Sequence, residues 1–342
     1  MIVGITPVRI SFAGGGTDLP EFYNDFEGNV LTTTIDQFTY VIFQHRNDTS
    51  FQSFSPDFQK HYKATELKQI EIEDGTEIAS SIIKFLDYNY GSNITVCSDA
   101  PPGSGLGSSS SLAVNLVNVI TKLQKKNWQS SEIAETAFKI EREILHWPMG
   151  KQDEYATAFG GFNFIKFTSE KTTVSPISLS NSLKTELQKN LVLFFVGKTR
   201  ESSPILSNQI ERIKQKNQNI LKSLQYVKDL SLEMCDSIKK SDITKFGELL
   251  HKGWEAKKQF SDGVSNQKID DIYNSALKSG ALGGKLTGAG GGGHMLLYCE
   301  SSKQPSLIKK MNSLGLQKVN STFYDDGPKI LNLYDFATSD KT

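Results

Sequence analysis

The chain is short of several things, and each shortage closes off a class of function. Cysteine is scarce: Cys97, Cys235 and Cys299 lie far apart and form no Cys-x-x-Cys pair. Reduced thiols in or near a core are therefore expected, not a disulfide framework. The five histidines never fall at His-x-x-x-His spacing, which argues against a zinc site. Charge of either sign is not in excess, since Lys plus Arg is 38 and Asp plus Glu is 38. That balance argues against nucleic acid or an anionic membrane as the main partner, while leaving room for a small basic pocket. No apolar run approaches the roughly 18 residues of a membrane span. The start, Met1-Ile-Val-Gly-Ile-Thr-Pro7, lacks the basic region and apolar stretch of a signal peptide. A soluble, cytoplasmic protein is the expectation. Apolar material is ample at 37%, against 22% charged, so the 342 residues can build the cores of two domains.

Residues 7–12 alternate, with Val8, Ile10 and Phe12 on one side and Arg9 and Ser11 on the other. This reads as a strand running into Gly14-Gly15-Gly16-Thr17-Asp18. Further strands are expected at 29–35, 38–45, 50–55 and 92–97, with a helix at 76–89. After a loop at 99–107, a helix carries Leu112, Ala113, Leu116, Val117, Ile120 and Leu123 on one face. A second helix is expected over 131–146, followed by a strand from Gly160. The polar stretch 168–186 is the candidate boundary, which divides the chain into domains 1–175 and 176–342. Beyond it come a buried strand at 191–196, a helix opened by Ser203-Pro204, and helical patterns over 204–260 and 266–279. A glycine loop then leads to the strand His294-Met-Leu-Leu-Tyr-Cys299, a helix near 303–313 and strands near 317–323 and 329–334. The order of elements predicts two α+β domains.

Three glycine loops bear on chemistry. The first is Pro101-Pro102-Gly103-Ser104-Gly105-Leu106-Gly107-Ser108-Ser109-Ser110-Ser111, between a strand and an apolar helix. Glycines let backbone approach an anion, and the helix start offers unpaired N–H groups and a positive dipole end. The serines add hydroxyls for phosphate oxygens or magnesium. The Gly-Lys-Ser/Thr ending of a Walker A loop is missing. A flexible linker is the competing reading, but linkers do not normally run straight into so apolar a helix. The second loop, Lys285-Leu-Thr287-Gly288-Ala-Gly290-Gly-Gly-Gly293, has five glycines in six residues and implies unusual dihedrals or a close approach. The third, Gly14 to Asp18, brings a carboxylate to the strand end that carries Arg9, as a polyhydroxylated ligand would require.

One carboxylate is out of place. At about 100° per residue from Ile133, the apolar residues of the 131–146 helix span from about −20° to 140°, and Glu141 falls near 80°. A buried carboxylate must be paired or metal-bound. Glu141 is thus a metal ligand or the partner of an internal arginine, whereas Glu143 faces solvent. Asp153 follows twelve residues on, at or just after a loop ended by Pro148 and Gly150. One carboxylate on a helix and one on the next loop suit a metal ligand and a base.

Together these motifs resemble the GHMP kinases, the superfamily of galactokinase, homoserine kinase, mevalonate kinase and phosphomevalonate kinase. The first motif, Pro7-Val-Arg-Ile-Ser-Phe-Ala-Gly-Gly-Gly-Thr-Asp-Leu-Pro20, and Gly150-Lys-Gln-Asp-Glu-Tyr155 are most similar to the D-glycero-D-manno-heptose 7-phosphate kinase branch and the related fucokinase domain. Galactokinases carry Glu-His where this chain has Gly15-Gly16. The resemblance implies an N-terminal domain like that of ribosomal protein S5, a ferredoxin-like C-terminal domain, and ATP with Mg2+ as cofactors. It implies that Pro102, Gly103, Ser104, Gly105, Leu106, Gly107, Ser108, Ser109 and Ser110 wrap the ATP phosphates, and that Ser109 and Glu141 hold magnesium. It makes Asp153 the base and places Arg9 beside it and the γ-phosphate. Gly16, Thr17 and Asp18 would bind the sugar, with Thr287, Gly288 and Gly290 closing the site.

The expected reaction is phosphoryl transfer to the anomeric hydroxyl of a sugar phosphate, a seven-carbon 7-phosphate giving a 1,7-bisphosphate. Arg200, in Lys198-Thr-Arg-Glu-Ser-Ser203, is the candidate cradle for the distal phosphate, with Lys151 and Lys285 as weaker ones. A fucokinase-like or other free-sugar kinase is the competing activity. A silent sugar and ATP sensor is the competing class, against which the presence of Asp153, Glu141 and Ser109 argues.

Overall fold

A computed structural model describes residues 1–197 and 202–332. Among them, two sheets carry helices against their faces, the α+β arrangement expected. The first sheet is laid down by β1 (Ile2–Ala13), β2 (Gly28–His45), β3 (Phe51–Ser55), β4 (Lys60–Ala64), β5 (Ser92–Ser98), β6 (Phe162–Phe167) and β7 (Thr172–Pro176). Its spine is β2, which pairs with β1 along one edge and with β6 and then β5 along the other. The second sheet takes β8 (Leu191–Gly197), β9 (Gly283–Leu286), β10 (Gly293–Tyr298) and β11 (Gln317–Val319), in the order β11-β8-β10-β9. The chain then returns to the first sheet. β12 (Phe323–Tyr324) pairs with β2, and β13 (Lys329–Asn332) pairs with β1.

That return corrects the simple division at 175/176. The cut falls inside β7, and residues 323–332 belong by pairing to the first sheet. The stretch reads as a linker by composition, yet Thr and Val suit a pleated edge, and β7 lies antiparallel to β6.

Helices α1 (Pro20–Phe26), α2 (Glu77–Phe85), α3 (Ser108–Leu123), α4 (Ser130–Lys139) and α5 (Gln152–Phe159) belong with the first sheet. α6 (Asn181–Asn190), α7 (Ser202–Lys214), α8 (Gln218–Lys239), α9 (Ile243–Lys257), α10 (Gln267–Lys278) and α11 (Gln304–Ser313) follow. Side-chain caps start several of them: Asn217 accepts from the amide of Asn219, and Asp242 from that of Lys245. The expected helix at 131–146 is interrupted. α4 ends at Lys139, and Ile140–Ile144 widen into a single π-turn, with Leu145 N–H donating to Ile140 O at 3.0 Å.

The alternation in β1 decides where the site forms. Val8, Ile10 and Phe12 enter a core shared with Met234 of α8 and Phe246, Leu249 and Leu250 of α9. The Phe12 ring lies 5.1 Å from Phe246 and 5.3 Å from Phe162. Burying such side chains stabilises the chain by about 1.5–3 kcal/mol each. This apolar seam binds the two lobes, and the strand's period of two turns Arg9 and Ser11 the other way.

Candidate active site

Gly103, Gly105 and Gly107 all lie in the left-handed region, at φ of 70°, 78° and 74°. The residues between them are buried: Ser104 is 1% exposed and Leu106 fully covered. Leu106 O accepts the Arg9 amide at 3.0 Å, which ties the loop to β1. Ser104 O accepts from the His294 amide at 3.1 Å and from its Nδ1 at 2.8 Å, which ties the loop to β10. His294 must therefore carry its hydrogen on Nδ1, and burial pushes its pKa down, favouring the neutral ring. A Cβ on Gly105 would come within 2.6 Å of Thr287 O, and one on Gly288 within 2.7 Å of the Gly105 Cα. The first and second glycine loops are thus pressed together.

Two cavities meet at this point. One, the loop cavity, is lined by Gly103, Ser108, Ser109, Ser110, Glu141 and Gly290. Ser110 is buried and its hydroxyl donates to Glu141 Oε1 at 3.3 Å, whereas Ser109, the expected magnesium serine, is exposed at the rim. Glu141 is fully buried, and its Oε2 has no partner among the described residues. Among the described residues no arginine pairs with it. Burial pushes its pKa up to about 8. Glu154, also fully buried, stands against Glu141 outside the cavity lining and is raised well above its ordinary value by burial and then by the Glu141 charge. Glu141, with a free oxygen at the cavity among the described residues, suits magnesium, which takes one or two carboxylates and completes its shell with phosphate oxygens and water. Pro102 lies apart, lining an apolar slot with Val96, Cys97 and Leu112 that touches the loop cavity through Ser108 and Ser109.

The other, polar cavity is lined by Ser11, Gly16, Asp18, Gln152, Gln209, Lys257 and Lys285. Arg9 and Asp153 line both cavities and form a two-pronged pair. Arg9 Nε donates to Asp153 Oδ1 at 2.6 Å and Nη2 to Oδ2 at 2.5 Å, while Nη1 reaches Gly105 O at 2.7 Å. Asp153 stands in the first turn of α5, just after the loop, as expected. Asp18 accepts the Gly16 amide at 2.8 Å and the Gln152 amide at 3.1 Å, and burial, then the Asp153 charge, pushes its pKa up.

Not every expected residue reaches a cavity. Thr17 spends its hydroxyl on Gly14 O and on the backbone of Asn29, holding the third glycine loop against β2. Thr287 likewise donates to His294 O, although Gly288 and Gly290 line the cavities as expected. Lys151 is committed to Glu135 at 2.6 Å. Arg200 lies outside the described residues.

Three contributors were missed: Gln152, Gln209 and Lys257. Two carried the signal that exposed Glu141. Lys257 follows Phe246, Leu250 and Trp254 at helical spacing, and Gln209 lies between Ile205 and Ile213.

The GHMP kinases N terminal domain matches residues 77–161, and the GHMP kinases C terminal domain matches 234–315. A D-glycero-alpha-D-manno-heptose 7-phosphate kinase of Campylobacter jejuni is 34% identical over 90% of this chain and 91% of its own. The L-fucokinase/L-fucose-1-P guanylyltransferase of Bacteroides fragilis is 25% identical, and the chain spans 36% of its length. The crystal structure of a D-glycero-D-manno-heptose 1-phosphate kinase from Bacteroides thetaiotaomicron superposes with a TM-score of 0.81, at 24% identity over 97% of this chain and 99% of that one. The chain belongs to the GHMP kinases, and its two lobes have the fold of that family.

Proposed function

We propose that the chain is an ATP-dependent sugar kinase that phosphorylates the anomeric hydroxyl of a sugar phosphate. The substrate this reading favours is D-glycero-D-manno-heptose 7-phosphate, converted to the 1,7-bisphosphate. The observation that carries it is the Arg9–Asp153 pair standing where a glycine-lined cavity meets a polar one. The similarity to the Campylobacter enzyme supports the choice of sugar.

In this reading the loop cavity takes the nucleotide. The left-handed glycines clear space for the phosphates, and the α3 amides face them at the positive end of a 16-residue helix. Glu141, with Ser109 or Ser110, would hold magnesium, which when bound supplies positive charge to the phosphate oxygens. The polar cavity takes the sugar. Among the described residues Ser11 Oγ, Gln152 Oε1 and Gln209 Nε2 are buried there without partners, and a polyhydroxylated ligand would satisfy them. Asp153 would accept or orient the anomeric proton, and that hydroxyl is acidic enough for a carboxylate to suffice. Arg9 would neutralise charge that spreads over the transferred group, while holding Asp153 in line.

Among the described residues no helix is long and apolar enough to cross a membrane, and use of ATP fits a cytoplasmic enzyme. An ADP-release assay over sugars and sugar phosphates tests the reading. The 7-phosphate should give the highest kcat/KM. Equal turnover of free hexoses would move the chain to a fucokinase-like activity.

A further inference from the structure

Two buried lysines in the polar cavity form no ion pair among the described residues. Lys257, at the end of α9, is 9% exposed and its Nζ donates to Gly288 O. Lys285, in β9, is 5% exposed and donates to Phe12 O at 3.2 Å. Neither has an acidic group within ion-pair reach among the described residues. The acids nearby are already engaged: Asp153 by the Arg9 guanidinium, Asp18 by two backbone amides. Burial and then the Arg9 charge push Lys257 down to about 8, partly offset by Asp18 and Asp153, while burial and then the Lys257 and Arg9 charges push Lys285 well below its ordinary value. A buried ammonium without a counter-charge is costly, so its presence points to an anion that arrives with a ligand.

The position of the pair says which anion. Both lysines line the polar cavity and neither lines the loop cavity. The loop meets β1 at the Arg9 amide, whereas Lys285 meets β1 at Phe12, three residues and about 10 Å further along the strand. Lys285 therefore reaches beyond the point of transfer, into the part of the cavity where the far end of the acceptor would lie, and Lys257, bonded to Gly288 O, faces the same cavity from nearer the junction. Gln209 Nε2, unpartnered and also from the second lobe, adds a third donor on that side.

We propose that Lys257 and Lys285 hold the phosphate already carried by the acceptor sugar, so that the second lobe selects phosphorylated sugars. The inference rests on the sugar phosphate reading above, and the two can fail separately.

The test compares heptose 7-phosphate with the same heptose lacking the phosphate, in wild type, Lys257→Met and Lys285→Met. Each variant should raise KM for the 7-phosphate by about 10- to 100-fold, the effect of losing a charge-assisted hydrogen bond. KM for ATP should stay at its wild-type value, and kcat/KM for the free heptose should fall far less than that for the 7-phosphate. ADP-induced thermal stabilisation checks that the variants fold, and Lys257→Arg should recover part of the lost affinity. Equal losses on both acceptors, or a raised KM for ATP, overturn the inference and place the lysines at the transferred phosphoryl group. A wild-type enzyme that does not prefer the 7-phosphate overturns the function itself, whatever the variants do. Should the methionine variants not fold, the wild type still decides. Its KM for the 7-phosphate should climb above pH 8 as Lys257 loses its proton. A flat profile overturns the inference.

Discussion

The loop cavity and the polar cavity are neighbours built from different materials. The first is largely backbone: left-handed glycines, the α3 amides and carbonyls pinned by β1 and β10. The second is side chains drawn from β1, α5, α7, α9 and β9. A backbone surface demands particular dihedrals and the absence of Cβ atoms, so added atoms break it. A side-chain surface demands a charge or hydrogen bond at a point in space, so removed atoms break it. Arg9 and Asp153 belong to both, and the comparison turns on them.

The largest effect is expected where the cavities join. Asp153→Asn should lower kcat by about 10²- to 10⁴-fold, the usual worth of a positioned acid–base group, with nucleotide binding retained. The melting temperature should fall as well, because the amide leaves the buried Arg9 guanidinium without its counter-charge. A variant with near-native kcat at saturating sugar would reduce Asp153 to a structural partner of Arg9.

On the loop side, Glu141→Gln should raise the magnesium concentration needed for half-maximal rate by about 10- to 100-fold. Glu143→Gln should leave it unchanged, since Glu143 is exposed. Equal responses would deny that burial singles out Glu141. Gly107→Ala tests the claim that added atoms break this side. Its Cβ would sit 2.9 Å from Asp153 Oδ2 at a φ of +74°, a strain of about 1–3 kcal/mol. The predicted result is a drop in kcat/KM of about 10-fold for every acceptor alike, the rate equivalent of losing that much transition-state stabilisation. A loss confined to one acceptor would show that the loop also reads the sugar.

The same contrast explains what could be read from the chain. The loop cavity was legible because ten of the eleven residues 101–111 are glycine, serine or proline for one physical reason. Glu141 was legible because a carboxylate on an apolar face is conspicuous at 100° per residue. Lys257 and Gln209 obey the same rule, but they lie about 30 and 50 residues from the nearest motif, so nothing linked them to Arg9 before the fold did. Thr17 and Thr287 misled in the opposite sense, since a threonine inside a glycine motif can serve the loop's own backbone. The π-turn at Ile140–Ile144 and the return of β12 and β13 to the first sheet depend on tertiary packing and leave no local pattern.

The smallest effect expected concerns stability, and it separates the two cavities by sign. Lys257 has a folded-state pKa of about 8 against an ordinary 10.5, because burial disfavours its charged form. Below pH 8 both folded and unfolded chains carry the proton, and the folded state bears the full desolvation cost. Between pH 8 and 10.5 the unfolded chain binds more protons, so stability climbs with pH and the cost fades. Replacing the ammonium by an apolar group of similar length removes that cost where it is present. Lys257→Met should therefore stabilise the ligand-free protein by about 1–3 kcal/mol near pH 7, and the gain should shrink towards pH 10.5. Thermal or urea unfolding at pH 7 and pH 10 measures both values. Asp153→Asn and Gly107→Ala should destabilise at pH 7, so a stabilised variant that binds the sugar phosphate poorly would mark Lys257 as kept for its ligand. Destabilisation at both pH values would instead show that its bond to Gly288 O supports the fold, and the polar cavity would then be structural on that side.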